Sequence, residues 1–333
     1  MEACTPTPTT RLAASLAKLA GLTMGLACAP GAFAQDYPSR PVRLVSPFPA
    51  SGPLDVLARI YAQRLSENWG GKPVVVENRV GATGTIGTDS VAKSAPDGYT
   101  LLFTVDLPIV MAPALVPVPY DVRKDLAPVA AVADGMNMLV VHPSTGVKTL
   151  SELVAAAKAR PGTLTFSSAG NASPGHMCAE MIKTAAGVAM THVPYKGAAP
   201  AMTAVLAGEV SMFCGPIPQS LPHVRAGKVL ALGTTGAKPS PLTPEVRPLS
   251  ATFPDVVLSN WYAMFAPART PSAVLATLQA AVRRVQEDPA LARRLEESGL
   301  DPLWLGPAEL AVAVDRDLAR WTRVVKATGV KAD

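Results

Sequence analysis

The chain of 333 residues contains few of the residues that hold metals or build disulfide frameworks. It has four cysteines and four histidines. Of the cysteines, only Cys178 and Cys214 lie beyond the first 34 residues. The histidines show none of the short spacings that are typical of metal ligands. We therefore expect no structural metal, no disulfide-dense fold and no cofactor. Cys178 and Cys214 either pair with each other or remain buried thiols.

The sequence also lacks concentrated charge and aromatic residues. Charged residues make up 17% and aromatic residues 5% of the chain, and no block of like charge occurs. The formal net charge is +5 at pH 7, and removal of the first 34 residues would leave +4. Proteins that bind nucleic acids usually carry a basic patch or stripe. Nucleic acid is therefore not an expected partner, whereas the small positive net charge is compatible with binding of a small anion.

The apolar run at positions 19–29 is too short to span a membrane. It follows Arg11 and Lys18 and precedes an Ala-Phe-Ala sequence, which is the order of a secretory signal peptide. We predict that residues 1–34 are removed before Gln35. The mature protein is then expected in the periplasm, as a monomer.

Strand-like and helix-like segments alternate along the chain, which is typical of an α/β protein with parallel strands. Extended runs are predicted at 42–45, 74–77, 100–104, 139–141, 164–166, 191–193, 210–214, 229–234 and 258–267. Helices are predicted at 54–67, 84–94, 150–159, 174–186, 199–207 and 309–326, with two more beginning near 270 and 288. The last helix has an apolar stripe, so Trp321 is interpreted as a packing residue.

Two extended runs, near 136–143 and 258–267, each precede a new helix. If the chain crosses between two halves at these points, one lobe contains residues 36–136 and 258–333. The other lobe contains residues 137–257. This division predicts two α/β lobes joined by two crossover segments, with a ligand cleft between them.

Two loops of small residues lie in different predicted lobes. The first occupies positions 46–53 and the second positions 167–174, and each ends with a small residue followed by proline. Such a pair is typical of the first residues of a helix. The free N–H groups at a helix start favour an anion, although either loop alone would be explained as a simple helix cap.

Motifs for catalysis are incomplete. The sequence around Gly170 places its serine one position too late for a nucleophile elbow, and the glycines at 81–87 match no nucleotide-binding loop. Ser173 and His176 fall on one helical turn and leave a hydrolase as an alternative. Asp106, at the end of a predicted strand, and Lys196, before a predicted helix, are candidates for choosing the ligand, or are ordinary surface residues.

Several segments together resemble the Bug family, the periplasmic solute-binding proteins of tripartite tricarboxylate transporters. The resemblance runs through positions 48–59, 76–87, 96–102, 168–176, 191–197, 222–228 and 261–267. It covers essentially the whole mature chain. It implies a type II periplasmic-binding fold, in which two α/β lobes close on a small carboxylate that is then delivered to membrane permease subunits.

The resemblance also implies the ligand-binding positions. In this family, backbone amides and hydroxyls of the two small-residue loops hold the ligand carboxylate. Together with the candidates above, the predicted ligand-binding residues are Pro49, Ala50, Ser51, Gly52, Asp106, Ser168, Ala169, Asn171, Ala172, Ser173, Lys196, Gly197 and Gly215.

Three positions depart from the family pattern. Ser51 replaces a usual glycine, Ala172 replaces a common serine, and Gly215 stands where aspartate is frequent. These changes alter the part of the predicted site that would select the ligand, so the sequence does not identify the carboxylate that is bound. A sensory binding protein that feeds a two-component system is an alternative to transport.

Overall fold

The computed structural model describes residue 2 and residues 37–330 of the chain. The described strands and helices belong to the compact unit that begins at Arg40. Apart from residue 2, the predicted signal peptide lies outside the described residues. Ten strands are present in this part of the chain: β1 Val42–Ser46, β2 Val74–Asn78, β3 Thr100–Val105, β4 Leu126–Val141, β5 Thr165–Ser168, β6 Thr191–Pro194, β7 Met212–Pro216, β8 Leu230–Thr234, β9 Ser259–Pro267 and β10 Asp301–Leu305.

Eleven α-helices are found among the described residues. They are α1 Pro53–Asn68, α2 Thr85–Ala92, α3 Ala112–Leu115, α4 Val122–Asp125, α5 Leu150–Ala159, α6 Pro174–Ala186, α7 Ala198–Leu206, α8 Ile217–Arg225, α9 Ser272–Gln286, α10 Pro289–Glu297 and α11 Pro307–Thr328. Short 3₁₀ turns at Ala82–Gly84, Pro143–Thr145 and Leu249–Ala251 and a π-helical turn at Leu107–Met111 connect them. The mixed α/β class is therefore confirmed.

The strands form one sheet with two similar ends. Their order is β2-β1-β3-β9-β4-β7-β5-β6, and β8 and β10 both pair with β4. At one end β1 lies between β2 and β3 and is parallel to both. At the other end β5 lies between β6 and β7 and is again parallel to both. The two predicted loops therefore each leave the central strand of a three-stranded parallel unit.

The expectation of parallel strands is wrong for the middle of the sheet. β9 runs antiparallel to β3 and to β4, and β4 runs antiparallel to β7, β8 and β10. β4 pairs with β9 up to Met136 and with β7 from Asn137 onward. β4 and β9 lie between the two parallel units, and the chain passes through them in opposite directions, so they are antiparallel to each other. This change of partner supports the division at 136 and 137, which stays a prediction.

The buried apolar residues form two clusters, the larger of which includes residues of both parallel units and of α11, while the smaller packs α7 and α8 against β4 and β7. Trp321 is fully buried, as its place in the apolar stripe predicts. Trp261 of β9 is also buried, and its indole Nε1 donates to Asp317 of α11 at 3.1 Å. This contact fixes α11 against the antiparallel middle of the sheet. Within the described residues, no helix combines the length and apolar character that a membrane span requires.

Cys178 and Cys214 form a disulfide that joins α6 to β7, with 6.4 Å between the Cα atoms. The two backbones also approach closely at Gly175, where an added Cβ would lie 2.1 Å from the carbonyl oxygen of Cys214. Only glycine allows this approach. The start of α6 is thus fastened to the sheet directly below the second predicted loop.

Candidate functional site

The first loop leaves β1 at Ser46 and opens α1 behind Pro53. Gly52 is the N-cap residue, and no side chain caps the helix. Pro49, Ala50 and Ser51 are exposed. Because the first N–H groups of a helix have no partner within the helix, this end of α1 offers donors to an anion.

A buried carboxylate holds the first loop in shape. Asp55 is 2% exposed, and its Oδ2 accepts the backbone N–H of Ser51 at 2.9 Å and the Arg59 Nε–H at 2.9 Å. Its Oδ1 accepts from Asn78, whose amide also donates to the carbonyl of Phe48 at 3.0 Å. The hydrogen bond from Arg59 is the main reason that the pKa of Asp55 is lowered. The Ser51 N–H therefore already has a hydrogen-bond partner within the protein and is not free for a ligand.

Asp55 and Asn78 hold the first loop in place, and the sequence analysis assigned neither of them this role. Both lie in segments that carry the family resemblance, yet neither received a role. A signal was present, because an acidic residue in the first turn of a helix can accept the backbone N–H of a residue just before that helix. What the sequence did not indicate is that Asn78, at the end of β2, would complete the network.

The second loop leaves β5 at Ser168, which is completely buried. The Ser168 hydroxyl lies 2.7 Å from His192 Nε2 and donates to the carbonyl of Gly170 at 2.9 Å. The Gly170 N–H donates back to this hydroxyl at 3.2 Å, and the Tyr195 N–H donates to the Ser168 carbonyl at 3.0 Å. Ser168 therefore ties the loop to β6 and to the segment after it.

Two histidines support the rest of the second loop. The Ala172 N–H donates to Nδ1 of His176 at 3.0 Å, and the His176 N–H donates to the Ser173 hydroxyl, which caps α6. The imidazole of His176 stacks on that of His192 with 3.8 Å between ring centroids. Burial, together with the nearby His176, lowers the pKa of His192 to about 4. His192 is therefore neutral under physiological conditions.

Strained backbone is concentrated in these loops. Among the described residues, the non-glycine residues with positive φ are Ser51 at 65°, Ala82 at 45°, Thr83 at 54° and Ala172 at 55°. Two of the four belong to the predicted ligand loops. Ala82 and Thr83 precede Gly84, which packs against the ring of Phe48 in the first loop. Such conformations cost energy and cluster at functional sites.

A third helix start lies beside the second loop. Gly197 is the N-cap of α7 with a φ of 113°, and no side chain caps this helix. Lys196 precedes it, is exposed, and makes no ion pair within residues 37–330. Since Tyr195 is hydrogen-bonded to Ser168, Lys196 and Gly197 are attached to the same loop as the other predicted residues of this half.

Asp106 is far more buried than a surface turn residue would be. It is 2% exposed, its N–H donates to the carbonyl of Trp261, and its Oδ2 has no hydrogen-bond partner. Burial is the main cause of its strongly raised pKa, and the charges of Asp317 and Asp134 raise the pKa further. Asp106 therefore favours the neutral, protonated form. Its role in ligand selection stays a prediction, in which a ligand would meet a neutral carboxyl group.

Gly215 lies on β7 opposite Met138 of β4. A Cβ added at Gly215 would lie 2.0 Å from two ring carbons of Phe213, and this ring is 1% exposed. The aromatic ring thus fills the space that a side chain at position 215 would need. The aspartate that is frequent here in the family does not fit this chain as it is packed.

Ser173 and His176, the pair considered for hydrolysis, both have partners within the protein. The Ser173 hydroxyl accepts the N–H at the start of α6, while the His176 imidazole accepts from the loop and lies 3.6 Å from Glu180. Both groups thus have structural partners. Within residues 37–330, no three histidine, cysteine or acidic side chains are grouped so that they could hold a metal ion.

The chain is similar to a known family along nearly its whole length. Residues 57–330 match the family described as the tripartite tricarboxylate transporter family receptor. Protein BugT of Bordetella pertussis is 36% identical over 301 residues, which cover 90% of this chain and 92% of BugT. A UPF0065 protein of Bordetella bronchiseptica is 34% identical, with 81% of this chain and 80% of that protein covered.

Solved structures share the fold. Rpa4515 of R. palustris with adipate is 33% identical with a TM-score of 0.74, covering 89% of this chain and 99% of that one. The periplasmic binding protein BugD is 31% identical with a TM-score of 0.71, covering 89% and 100%. MatC of Rhodopseudomonas palustris with bound malate is 31% identical with a TM-score of 0.69, covering 87% and 100%.

Proposed function

This chain belongs to the tripartite tricarboxylate transporter receptor family, and from that premise we propose that it is a periplasmic solute-binding protein. It captures a small organic carboxylate between two lobes and delivers it to the membrane subunits of a tripartite tricarboxylate transporter. It acts as a monomer, needs no cofactor and performs no chemical reaction on its ligand. The structures of relatives that contain adipate and malate support this class of ligand.

One observation carries the proposal. The two small-residue loops leave β1 and β5, each the central strand of a parallel unit, and each opens a helix behind a proline. Ligands of parallel α/β sheets bind at the carboxyl ends of strands, where helix starts present free donors. Two such starts on opposite halves of the sheet are suited to holding one anion between them.

The donors available to the ligand are a subset of those predicted. The N–H groups of Ser51, Gly170 and Ala172 have partners within the protein. Ser173 already caps α6, so on the side of the second loop we assign the carboxylate to the uncapped start of α7, which the hydrogen bond from Tyr195 to Ser168 holds beside that loop. On the side of the first loop we assign it to the start of α1. The exposed Ser51 hydroxyl and Lys196 lie beside these two starts. Charge-assisted hydrogen bonds contribute about 1.5–3 kcal/mol each. A micromolar ligand needs about −8 kcal/mol in total, so a few such bonds suffice after the cost of ordering.

The division into lobes is part of the proposal. It places residues 36–136 and 258–333 in one lobe and residues 137–257 in the other. The change in the partner of β4 between Met136 and Asn137 supports it. Closure of the lobes would exclude water from the carboxylate and strengthen its hydrogen bonds.

Mass spectrometry of the small molecules released on denaturation tests the ligand class directly. Calorimetric titration of the ligand-free protein with adipate, malate and aspartate then measures affinity, and the diamide of adipate is the neutral control. We expect a carboxylate to be released or to bind, and the diamide not to bind. Release of no carboxylate, together with no binding of the three acids, would contradict the proposal.

A matched pair of variants tests the site. Ser51→Ala removes a hydroxyl from the first loop, whereas Ser66→Ala removes one from the far end of the same helix, α1. The loss of one hydrogen bond predicts about two- to tenfold weaker binding for Ser51→Ala. Equal affinities for the two variants would remove Ser51 from the site.

Two alternatives remain distinguishable from transport. A sensory role predicts that the closed, liganded protein binds a membrane signalling protein, and neighbouring genes for a sensor kinase would favour it over genes for a permease. The hydrolase alternative requires Ser173 as a nucleophile. The hydrolase alternative is disfavoured because the Ser173 hydroxyl caps α6. A hydrolytic activity of the wild type that is lost in Ser173→Ala would support it.

A further inference from the structure

A cavity of about 630 Å³ lies apart from the two loops. Its walls come from the second half of α6, from α11 and from the segment 254–257. It shares no residue with the thirteen predicted ligand-binding positions. Cavities of roughly 300–1,000 Å³ are the size that holds small-molecule ligands. The cavity is therefore large enough to be a site of its own.

Three arginines of α11 form one wall. Arg316, Arg320 and Arg323 are spaced by four and three residues, which places them on the same face of the helix. Asp317 is the carboxylate that lies against two of them, at 3.0 Å from Arg316 Nε and 3.4 Å from Arg320 Nη2. One carboxylate thus contacts two guanidinium groups, and the charge of Asp134 also acts on Arg320.

The remaining donors are not fully used. Arg320 donates through Nη1 to the carbonyl of Val257 at 2.8 Å, while its buried Nε has no hydrogen-bond partner. Arg323 is exposed and forms no ion pair in the part of the chain that the structure describes. A guanidinium group presents its donors in a fork that matches a carboxylate. The face of α11 is therefore suited to an anion with two oxygens.

The opposite wall is largely apolar. Met181 and Ala185 of α6 and Val256 of the segment 254–257 line it. Val324 adds an apolar side chain on the α11 side, and two acidic residues, Asp134 and Asp255, also line the cavity. Bare phosphate or sulfate would leave the apolar wall uncovered. An acid with a hydrocarbon body would bury it and gain from the hydrophobic effect.

We propose that this cavity is a second binding site, for a small organic carboxylate with an apolar body. Its carboxylate is held by the exposed guanidinium groups of Arg316 and Arg323, and its apolar body lies against Met181 and Val324. This site is independent of the carboxylate site proposed above at the starts of α1 and α7, which we call the clamp. Because its walls belong to both α6 and α11, a bound acid contacts both helices at once.

Benzoate is the probe that tests the site, since it joins a carboxylate to a flat apolar ring. Benzamide has nearly the same shape without the charge and is the control compound. Calorimetric titration is carried out with the full protein after its clamp has been saturated with malate or aspartate, the acids with little apolar body, whichever binds. The methyl resonance of Met181 reports where benzoate binds. We expect binding of benzoate and not benzamide, with a shift of the Met181 signal.

Matched charge variants complete the test. Arg316→Leu with Arg323→Leu removes two of the three guanidinium groups and keeps Arg320, whose contacts are structural. Arg293→Leu, on the exposed surface of α10, is the control for a lost charge. We expect benzoate affinity to fall about tenfold or more in the double variant and to stay unchanged in the control.

Three results would overturn the proposal. They are no benzoate binding, equal binding of benzamide, and benzoate binding that persists in the double variant with an unshifted Met181 signal. None of these results bears on the clamp, because adipate, malate and aspartate binding are measured separately. A failed clamp experiment likewise leaves the arginine cavity to be judged by benzoate alone.

Discussion

Ala172 donates its backbone N–H to Nδ1 of His176 at 3.0 Å while its own φ is 55°. This hydrogen bond explains how an alanine is kept in a left-handed conformation that alanine normally avoids, at a cost of about 1–2 kcal/mol. His176 is 7% exposed, so it is held rigidly by α6. The second loop therefore takes its shape from the helix that it precedes.

Replacement of His176 tests this relationship. His176→Leu keeps much of the side-chain volume but removes the acceptor, leaving a buried N–H unpaired. We expect a loss of about 1–3 kcal/mol in the free energy of unfolding, measured with urea. His176→Asn has an amide oxygen near the position of Nδ1 and is expected to lose less, although it is smaller. A leucine variant at least as stable as the asparagine variant would contradict this explanation.

The neutral state of His192 makes the stability of the protein depend on pH. Its pKa is lowered from 6.5 to about 4 by burial and by the nearby His176. Between these values the unfolded chain binds more protons than the folded protein, so stability falls as the pH is lowered through this range. Above pH 6.5 this contribution is constant.

His192→Gln removes the titrating group but keeps a polar atom near Nε2 for Ser168. We expect the free energy of unfolding of this variant to fall less steeply between about pH 6.5 and pH 4 than that of the wild type. Urea unfolding at several pH values measures both slopes. Identical slopes would show that His192 is not the group responsible.

Asp55 shapes the first loop in the way that His176 shapes the second. Asp55→Ala removes the acceptor for the Ser51 N–H and for Asn78, and we expect a loss of about 3 kcal/mol or more in stability because a buried charge network is broken. Arg59→Ala is the comparison, since it removes one partner of Asp55 and leaves the hydrogen bonds from Ser51 and Asn78 in place, so we expect a smaller loss. Urea unfolding compares the two variants, and equal losses would mean that the ion pair is what matters.

The sequence was sufficient to predict the elements that carry the loops. The N-cap and proline at 52–53 and at 173–174 are local signals, and both helices begin where they indicate. β4 was missed over most of its length, because Pro128 and the Asp134-Gly135 pair are signals for turns. Pairing with strands on both sides overrides these local preferences, and sequence patterns do not contain that information.

α8 was missed for a related reason. The region from Pro216 to Pro222 contains three prolines, which predict an irregular segment. Two of them, however, stand at or just before the first turn, where proline is tolerated, and Pro222 lies inside the helix. The hydrogen bonds within the loops were also beyond the sequence, because they depend on the mutual positions of side chains such as His176 and Asn78.

The contact between Gly215 and Phe213 gives the last prediction. Gly215→Ala places a Cβ where the buried ring of Phe213 now lies, and overpacking of this kind costs about 1–3 kcal/mol in unfolding free energy. Phe213→Leu alone is also destabilising, because it removes buried volume. In the double variant the smaller side chain makes room for the new methyl group, so the two losses are not additive. Urea unfolding of both single variants and the double variant measures the coupling. Strictly additive losses would mean that Gly215 is required for a reason other than this ring.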